Sequence, residues 1–252
     1  MLQSNRGFQR EEYEMRLDYA FWPDVEEYLK REDRLIVPAG AVEQHGPAVA
    51  MGIDYLIAAA VADAAAERLA LYAAPPLCYG MSLHHAAFAG TASLKPSSYL
   101  HMLVDLLGFF VRHGFRRIAL LNGHGGNVPS LKAAAAEVSY ENEGARILVT
   151  SWYDTPEVKR RVEEEFGPDE GSHATPSEVS VLMHLRPELV GDLSAVARTE
   201  KDLIRWHPGP WDLREYYPQG AVGSDARRAT PALGKELFDL AVEGAVEAMG
   251  LL

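Results

Sequence analysis

Short apolar runs alternate along the chain with longer stretches of helical periodicity, and polar segments bounded by glycine separate the two. Residues 34–38 (RLIVP) read as a strand, and an Ala-rich stretch opened by Asp54 and running to residue 69 reads as a helix. The pattern then repeats. Residues 71–77 form a second strand-like run, followed by the polar segment GMSLHHAAFAGTAS and a helix over about 96–113. A third strand at 116–121 (RRIALL) runs into NGHGGN and a helix over roughly 128–141, and 145–151 (ARILVTS) makes a fourth strand. Strands rich in Val, Ile and Leu, with little in/out alternation and regular intervening helices, predict an α/β fold: a mainly parallel sheet covered by helices on both faces. Beyond Trp152 the pattern loosens. A charged stretch at 157–165 reads as a solvated helix, and GSHATPSEVSVLMHLRPELV as a loop capping a buried helix, with Ser177 or Thr175 at the cap. Residues 206–224, rich in Trp, Pro and Gly, read as ordered loop, and a last helix covers about 231–249.

Composition narrows the function. With 252 residues, 48% of them hydrophobic, the chain is long enough for one large domain spanning 1–252. A formal net charge of -12 and the lack of any basic cluster argue against nucleic acid or an anionic membrane as partner. The opening segment through Trp22 holds no apolar run of export-signal length, and no stretch approaches the roughly 20 apolar residues that span a bilayer. A cytoplasmic protein acting on a small molecule is expected. The single cysteine, Cys78, sits in the apolar stretch PPLCYG and reads as core; it rules out an intrachain disulfide and a multi-cysteine metal site.

Three polar segments carry candidate chemistry. In the first, Glu43-Gln44-His45-Gly46 is followed by Asp54, nine residues after His45. On extended backbone, residues two apart point the same way, so Glu43 and His45 can face one pocket while Asp54 turns in from a helix N-terminus. Two carboxylates and an imidazole suit zinc or manganese, although alone the segment fits a solvated acidic loop equally well. The second is Asn122-Gly123-His124-Gly125-Gly126-Asn127 at a strand end, where glycines permit positive φ and close approach to a ligand, with His124 as the reporting side chain. It lacks the spacing of a phosphate-binding loop. The third is His173, with Glu178 five residues later near a helix start, where the glutamate is either a ligand or a partner of the helix dipole. All three lie where a parallel sheet presents its functional loops, after the carboxyl ends of strands or beside them. Of His84 and His85, one is expected to line the pocket; His101, His113, His184 and His207 have no partner pattern.

Taken together, Glu43-Gln44-His45-Gly46-Pro47 with Asp54, Gly80-Met81-Ser82 through His85, Phe88-Ala89-Gly90-Thr91, the NGHGGN segment, and His173 with Glu178 resemble the creatininase (creatinine amidohydrolase) family in order and spacing. The resemblance covers roughly residues 30–190, with a weaker likeness at 220–223. It implies a three-layer α/β fold and a homo-oligomer, often a hexamer. It also implies two divalent ions per chain, zinc or manganese with iron as a further option, and hydrolysis of a non-peptide C–N bond, as in cyclic amides or formamides, by hydroxide carried on the metals. Carried over by position, Glu43 and His124 hold one ion, His45 the other, and Asp54 bridges them. Creatininase has a glutamate where this chain has Gly126, so Glu178 is assigned the remaining carboxylate role. His173 is expected to pass a proton to the leaving nitrogen. Gln44, Asn122 and Asn127 are expected to brace the ligands, and Trp152 and Tyr153 either to wall the pocket or to pack in the core. Ala48 replaces a histidine common in relatives, making that wall more apolar. Alternatives are hydrolysis of a cyclic polyol-derived ketone or a lactone at the same metals, and a non-catalytic metal-binding homologue.

Overall fold

Four strands, β1 (Arg34–Ala39), β2 (Tyr72–Ala73), β3 (Arg117–Asn122) and β4 (Arg146–Ser151), form one parallel sheet in the order β2-β1-β3-β4. The computed structural model describes residues 15–200, 204 and 207–252. The opening segment read for an export signal therefore falls largely outside the described residues, as does Trp206. Around the sheet lie α1 (Trp22–Leu29), α2 (Ile53–Leu69), α3 (Pro96–His113), α4 (Val128–Glu141), α5 (Pro156–Phe166), α6 (Pro176–Leu185), α7 (Pro210–Tyr216) and α8 (Pro231–Gly250). The predicted three-layer α/β class holds: α2 and α8 pack on the sheet with α6 against them, and α3 pairs with α4, which lies against β4.

The central strands are apolar on both faces, so β1 and β3 bury everything after their first residue. That pattern belongs to a parallel sheet covered on both sides. The chain leaves β1 outward to β2 and returns to β3 on the other side of β1. Right-handed crossovers then put α2 on one face and α3 and α4 on the other. The loops after β1 and β3 diverge at this reversal, and a crevice opens between them.

Three readings are corrected. The expected strand at 71–77 shrinks to Tyr72–Ala73, because Pro75 and Pro76 remove two ladder donors. The track resumes at Leu77, which bridges to Ala39. The stretch 206–224 is not all loop, since it contains α7: Pro210 stands at a helix start, a position it favours as readily as a loop, and Leu213 and Tyr217 bury together with Phe88 in a small separate cluster. Cys78 is only partly buried, with Sγ against the Pro76 carbonyl. Among the described residues no helix is long and apolar enough to cross a membrane.

Candidate metal centre

The crevice gathers the polar segments. The exit of β1 carries Glu43, Gln44 and His45, the exit of β3 carries His124, and the first turn of α2 brings Asp54 between them. Gly123 shows why these elements can close together: a Cβ there would stand 2.2 Å from the Asp54 carbonyl oxygen. The glycines of NGHGGN serve by close approach and not by positive φ, which none of the three adopts. The two asparagines brace the backbone of the exits, where the sequence pointed to the ligand side chains. Asn122 accepts from the His124 backbone N–H (3.2 Å) and donates to the His124 carbonyl (2.8 Å); Asn127 donates to the Gly40 carbonyl (3.0 Å) and accepts from Met81 N–H (2.9 Å).

Glu43, His45, Asp54 and His124 are all buried. His45 Nε2 lies 3.0 Å from Asp54 Oδ1, and His124 Nδ1 lies 3.3 Å from Asp54 Oδ2 and 3.4 Å from Glu43 Oε1. Each imidazole is oriented by its other nitrogen: His124 Nε2 donates to the Met81 carbonyl (3.0 Å), and His45 Nδ1 faces the Glu43 carbonyl oxygen (3.2 Å). Such outer hydrogen bonds leave the inner nitrogen free to ligate. Both carboxylate oxygens of Glu43, and Oδ2 of Asp54, are buried without a hydrogen-bond partner. A buried carboxylate in that state is costly unless a cation or proton compensates it.

The electrostatics carry the same signature. Burial opposes charge on His45, but the charge and hydrogen bond of Asp54 outweigh it and push the imidazole up to about 10; burial likewise opposes charge on His124, and Glu43 and Asp54 raise it to about 9. Burial lifts Glu43 to about 7 against the pull of His124, while Asp54, despite burial, is held well below the usual carboxylate range by His45 and His124. A divalent cation fits this donor set of oxygen and imidazole nitrogen.

His173 and Glu178 arrive from the segment entering α6. His173 pairs with Val222 of the late loop, and Ala174 behind it is held at φ 53, an uncommon conformation for a residue with a Cβ. His173 Nδ1 lies 3.4 Å from Glu43 Oε1, and its Nε2 donates to the Gln44 carbonyl at 2.7 Å. Burial, with His45 adding to it, lowers its pKa well below the ordinary value. Glu178 serves the start of α6 and also faces the cavity. It closes a capping box with Thr175, its Oε2 accepting from Thr175 N–H (3.0 Å), and it lines the same cavity as the other candidates; burial raises it to about 7. Thr175 is the cap, and Ser177 instead donates to Glu170 (2.5 Å).

The cavity measures about 220 Å³, and among the described residues no Lys or Arg lines it. Both His84 and His85 line it, where the sequence pointed to one. His85 is 1% exposed, 3.5 Å from Glu43 Oε1, and held below its ordinary pKa by burial and then by His173. Leu213 of α7 and Val222 complete the wall; Leu213 carries no sequence signal of it, whereas Val222 falls in the 220–223 stretch that weakly resembles a late loop of the family. Trp152 belongs to the main core, and Tyr153 sits just outside the cavity with its hydroxyl 3.4 Å from Asn122 Nδ2. Gly126 accounts for the missing glutamate: a Cβ there would lie 2.4 Å from His124 Nε2 and 2.5 Å from the Met81 carbonyl, inside the hydrogen bond that orients His124.

Comparison with known proteins agrees with this geometry. The family model described as "Creatininase: Creatinine amidohydrolase" matches residues 18–249. The chain is 33% identical to a mycofactocin precursor peptide peptidase of Mycolicibacterium smegmatis, over 84% of this chain and 83% of that one. It is 31% identical to a 3-dehydro-scyllo-inosose hydrolase of Thermotoga maritima (79% and 71%), and 27% identical to a creatinine amidohydrolase of Pseudomonas putida (90% and 93%). A crystal structure of creatininase superposes with a TM-score of 0.81 at 26% identity, covering 94% of this chain and 97% of that one. Similar creatininase structures include a manganese form and a mutant of Zn-Zn type. The chain belongs to the creatininase family of hydrolases.

Proposed function

We propose that this protein is a dinuclear metal-dependent hydrolase that cleaves a C–N bond of a small substrate, a cyclic amide or formamide being the favoured class. The observation that carries the reading is the pair of buried carboxylates, Glu43 and Asp54, whose uncompensated oxygens face histidine nitrogens. Glu43 and His124 hold one ion and His45 the other, with Asp54 between them and Glu178 supplying the last carboxylate. Zinc and manganese are the favoured metals, iron a further option, on the strength of the donor set and of the metals in similar creatininases. Divalent ions in such a site lower the pKa of water toward neutrality and polarise a carbonyl oxygen.

The chain's own residues supply the rest. With Nε2–H engaged by the Gln44 carbonyl, His173 presents the Nδ1 lone pair to the cavity. It therefore acts first as an acceptor, taking the proton that the attacking water gives up, and then returns that proton to the leaving nitrogen. The apolar wall of Leu213 and Val222 supports an apolar, neutral substrate group. A cavity of about 220 Å³ supports a small molecule, or the end of a longer one. Two relatives motivate second readings at the same metals: a peptide amide, from the precursor peptide peptidase, and a cyclic polyol-derived ketone or lactone, from the inosose hydrolase. The protein is proposed to be cytoplasmic and a homo-oligomer, the exposed Phe109 and Leu106 of α3 and Trp22 of α1 supporting the latter.

Elemental analysis of protein purified without chelator tests the metal reading. Wild type should carry about two ions per chain, falling in His124→Ala. No metal in either, even after incubation with zinc and manganese, defeats it. A turnover panel of cyclic amides, formamides, short peptides and cyclic ketones then separates the substrate classes.

A further inference from the structure

Glu43 Oε1 is approached by three imidazole nitrogens at nearly equal distance: His124 Nδ1 and His173 Nδ1 at 3.4 Å and His85 Nε2 at 3.5 Å. Distance alone makes all three equivalent, and Glu43, His85 and His173 are close enough together to hold one ion. Hydrogen-bond chemistry separates them. A nitrogen that ligates a metal needs its lone pair, so the position of each ring's proton decides what that nitrogen can do.

The proton on His85 is set by Gln44. The Gln44 amide has one orientation, because Oε1 accepts from Gly46 N–H (2.9 Å) and Nε2 donates to the Gly220 carbonyl (3.1 Å); the reversed amide would set donor against donor and acceptor against acceptor. Gly220 has φ +86 and no room for a Cβ, which would fall 1.7 Å from Gln44 Oε1, so the late loop clasps this amide directly. Nε2 of Gln44 also lies 2.8 Å from His85 Nδ1 and can only donate to it. His85 Nδ1 is therefore an acceptor, and the ring proton sits on Nε2, the nitrogen beside Glu43. His173 differs: its Nε2 lies 2.7 Å from the Gln44 carbonyl and must carry the proton, which leaves Nδ1 bare. The 3.0 Å approach of Gln44 Nε2 to His173 Nε2 joins two donors and is packing, not a hydrogen bond. His124 Nε2 donates to Met81, so Nδ1 is the nitrogen that would ligate a cation.

We infer that His85 is a positioning residue and not a metal ligand: Gln44, clasped by the loop at Gly220, fixes His85 as the Nε2–H tautomer, and that N–H, 3.5 Å from Glu43 Oε1 and short of a hydrogen bond in this structure, closes onto the carboxylate and orients it when a cation is held. The inference rests on the metal reading above: with a cation held, His124 Nδ1 would ligate, His173 Nδ1 stays bare, and His85 turns a proton toward Glu43.

The tautomer is measured first, on the metal-free protein labelled with 15N-histidine. Long-range 1H–15N spectra should show His85 with a protonated Nε2 and an acceptor Nδ1, and Gln44→Leu should abolish that preference while the fold, followed by circular dichroism, persists. Titration with zinc gives the second readout. His85→Phe should weaken zinc binding by roughly 10–100-fold, the range typical of lost outer partners of ligands. His85→Gln, which returns an N–H near the same place, should recover most of it. A His85 proton on Nδ1, a zinc-induced shift showing Nε2 as a direct ligand, or wild-type affinity in His85→Phe overturns the inference. A wild type that takes up no zinc overturns the metal reading and this role together, whereas a zinc-binding wild type with an indifferent His85→Phe overturns this role alone.

Discussion

His173 shows how a single residue's place in a reaction depends on which nitrogen is occupied. Its motif identified it as a proton carrier, and the 2.7 Å bond from Nε2 to the Gln44 carbonyl makes Nδ1 the working atom. His173→Gln should lower turnover by roughly 10²–10⁴-fold, as for loss of a general acid–base, with metal content unchanged. Turnover and elemental analysis on the same preparation check this, and metal lost in step with activity would reassign His173 as a ligand. Glu43, His45 and Asp54 were legible from their spacing and His124 from its glycine-rich strand-end turn, but only their occurrence together in one chain pointed to a site. His85 was not distinguished from His84: both lie in one 3₁₀ turn, and their different burial comes from the loop at Gly220 and from α7, far along the chain.

At the scale of elements, the amino edge of the sheet is held by Glu32, just before β1. Its carboxylate accepts from Arg34 Nε and Nη2 (2.9 and 2.7 Å) and from Arg117 Nη2 of β3 (2.9 Å). The hydrogen bond from Arg34, the largest cause, together with Arg117, lowers Glu32 from 4.5 to about 2. A carboxylate depressed in the fold contributes stability that is whole above its unfolded pKa and lost as pH falls through the folded one. Wild type should therefore lose stability between about pH 4.5 and pH 2, and Glu32→Gln should flatten that part of the curve. Urea midpoints across that range test it, and parallel curves for the two proteins would remove Glu32 from the account. Helix positions were readable because the apolar periodicity is local. The second strand and α7 were misjudged because proline ends one element and starts another by the same loss of an N–H, and only packing decides between them.

For the whole molecule, the site sits between α2 of one layer and the loops of β1 and β3, so the cations proposed for it would tie sheet to helix. Ligands that bind only the folded state stabilise it, by about 4 kcal/mol at a thousandfold excess over Kd. In a chain of this length that corresponds to roughly 8–16 °C in Tm. Calorimetry with saturating zinc or manganese and again with excess EDTA should show a drop of this order, and equal midpoints would mean that the cations do not brace the fold.

The amino-acid sequence by itself determined the order of elements, the parallel α/β class and the loops that carry chemistry. Each follows from hydrophobic period, glycine and proline placement, or residue type within a few positions. Tertiary structure alone decided the close approach of Gly123 to Asp54, the exclusion of a side chain at Gly126, the wall made by Leu213 and Val222, and the tautomers around Gln44. The Gln44 amide meets partners 41 and 176 residues away in the chain. Such contacts are set by strand order and helix packing, and no local pattern encodes them.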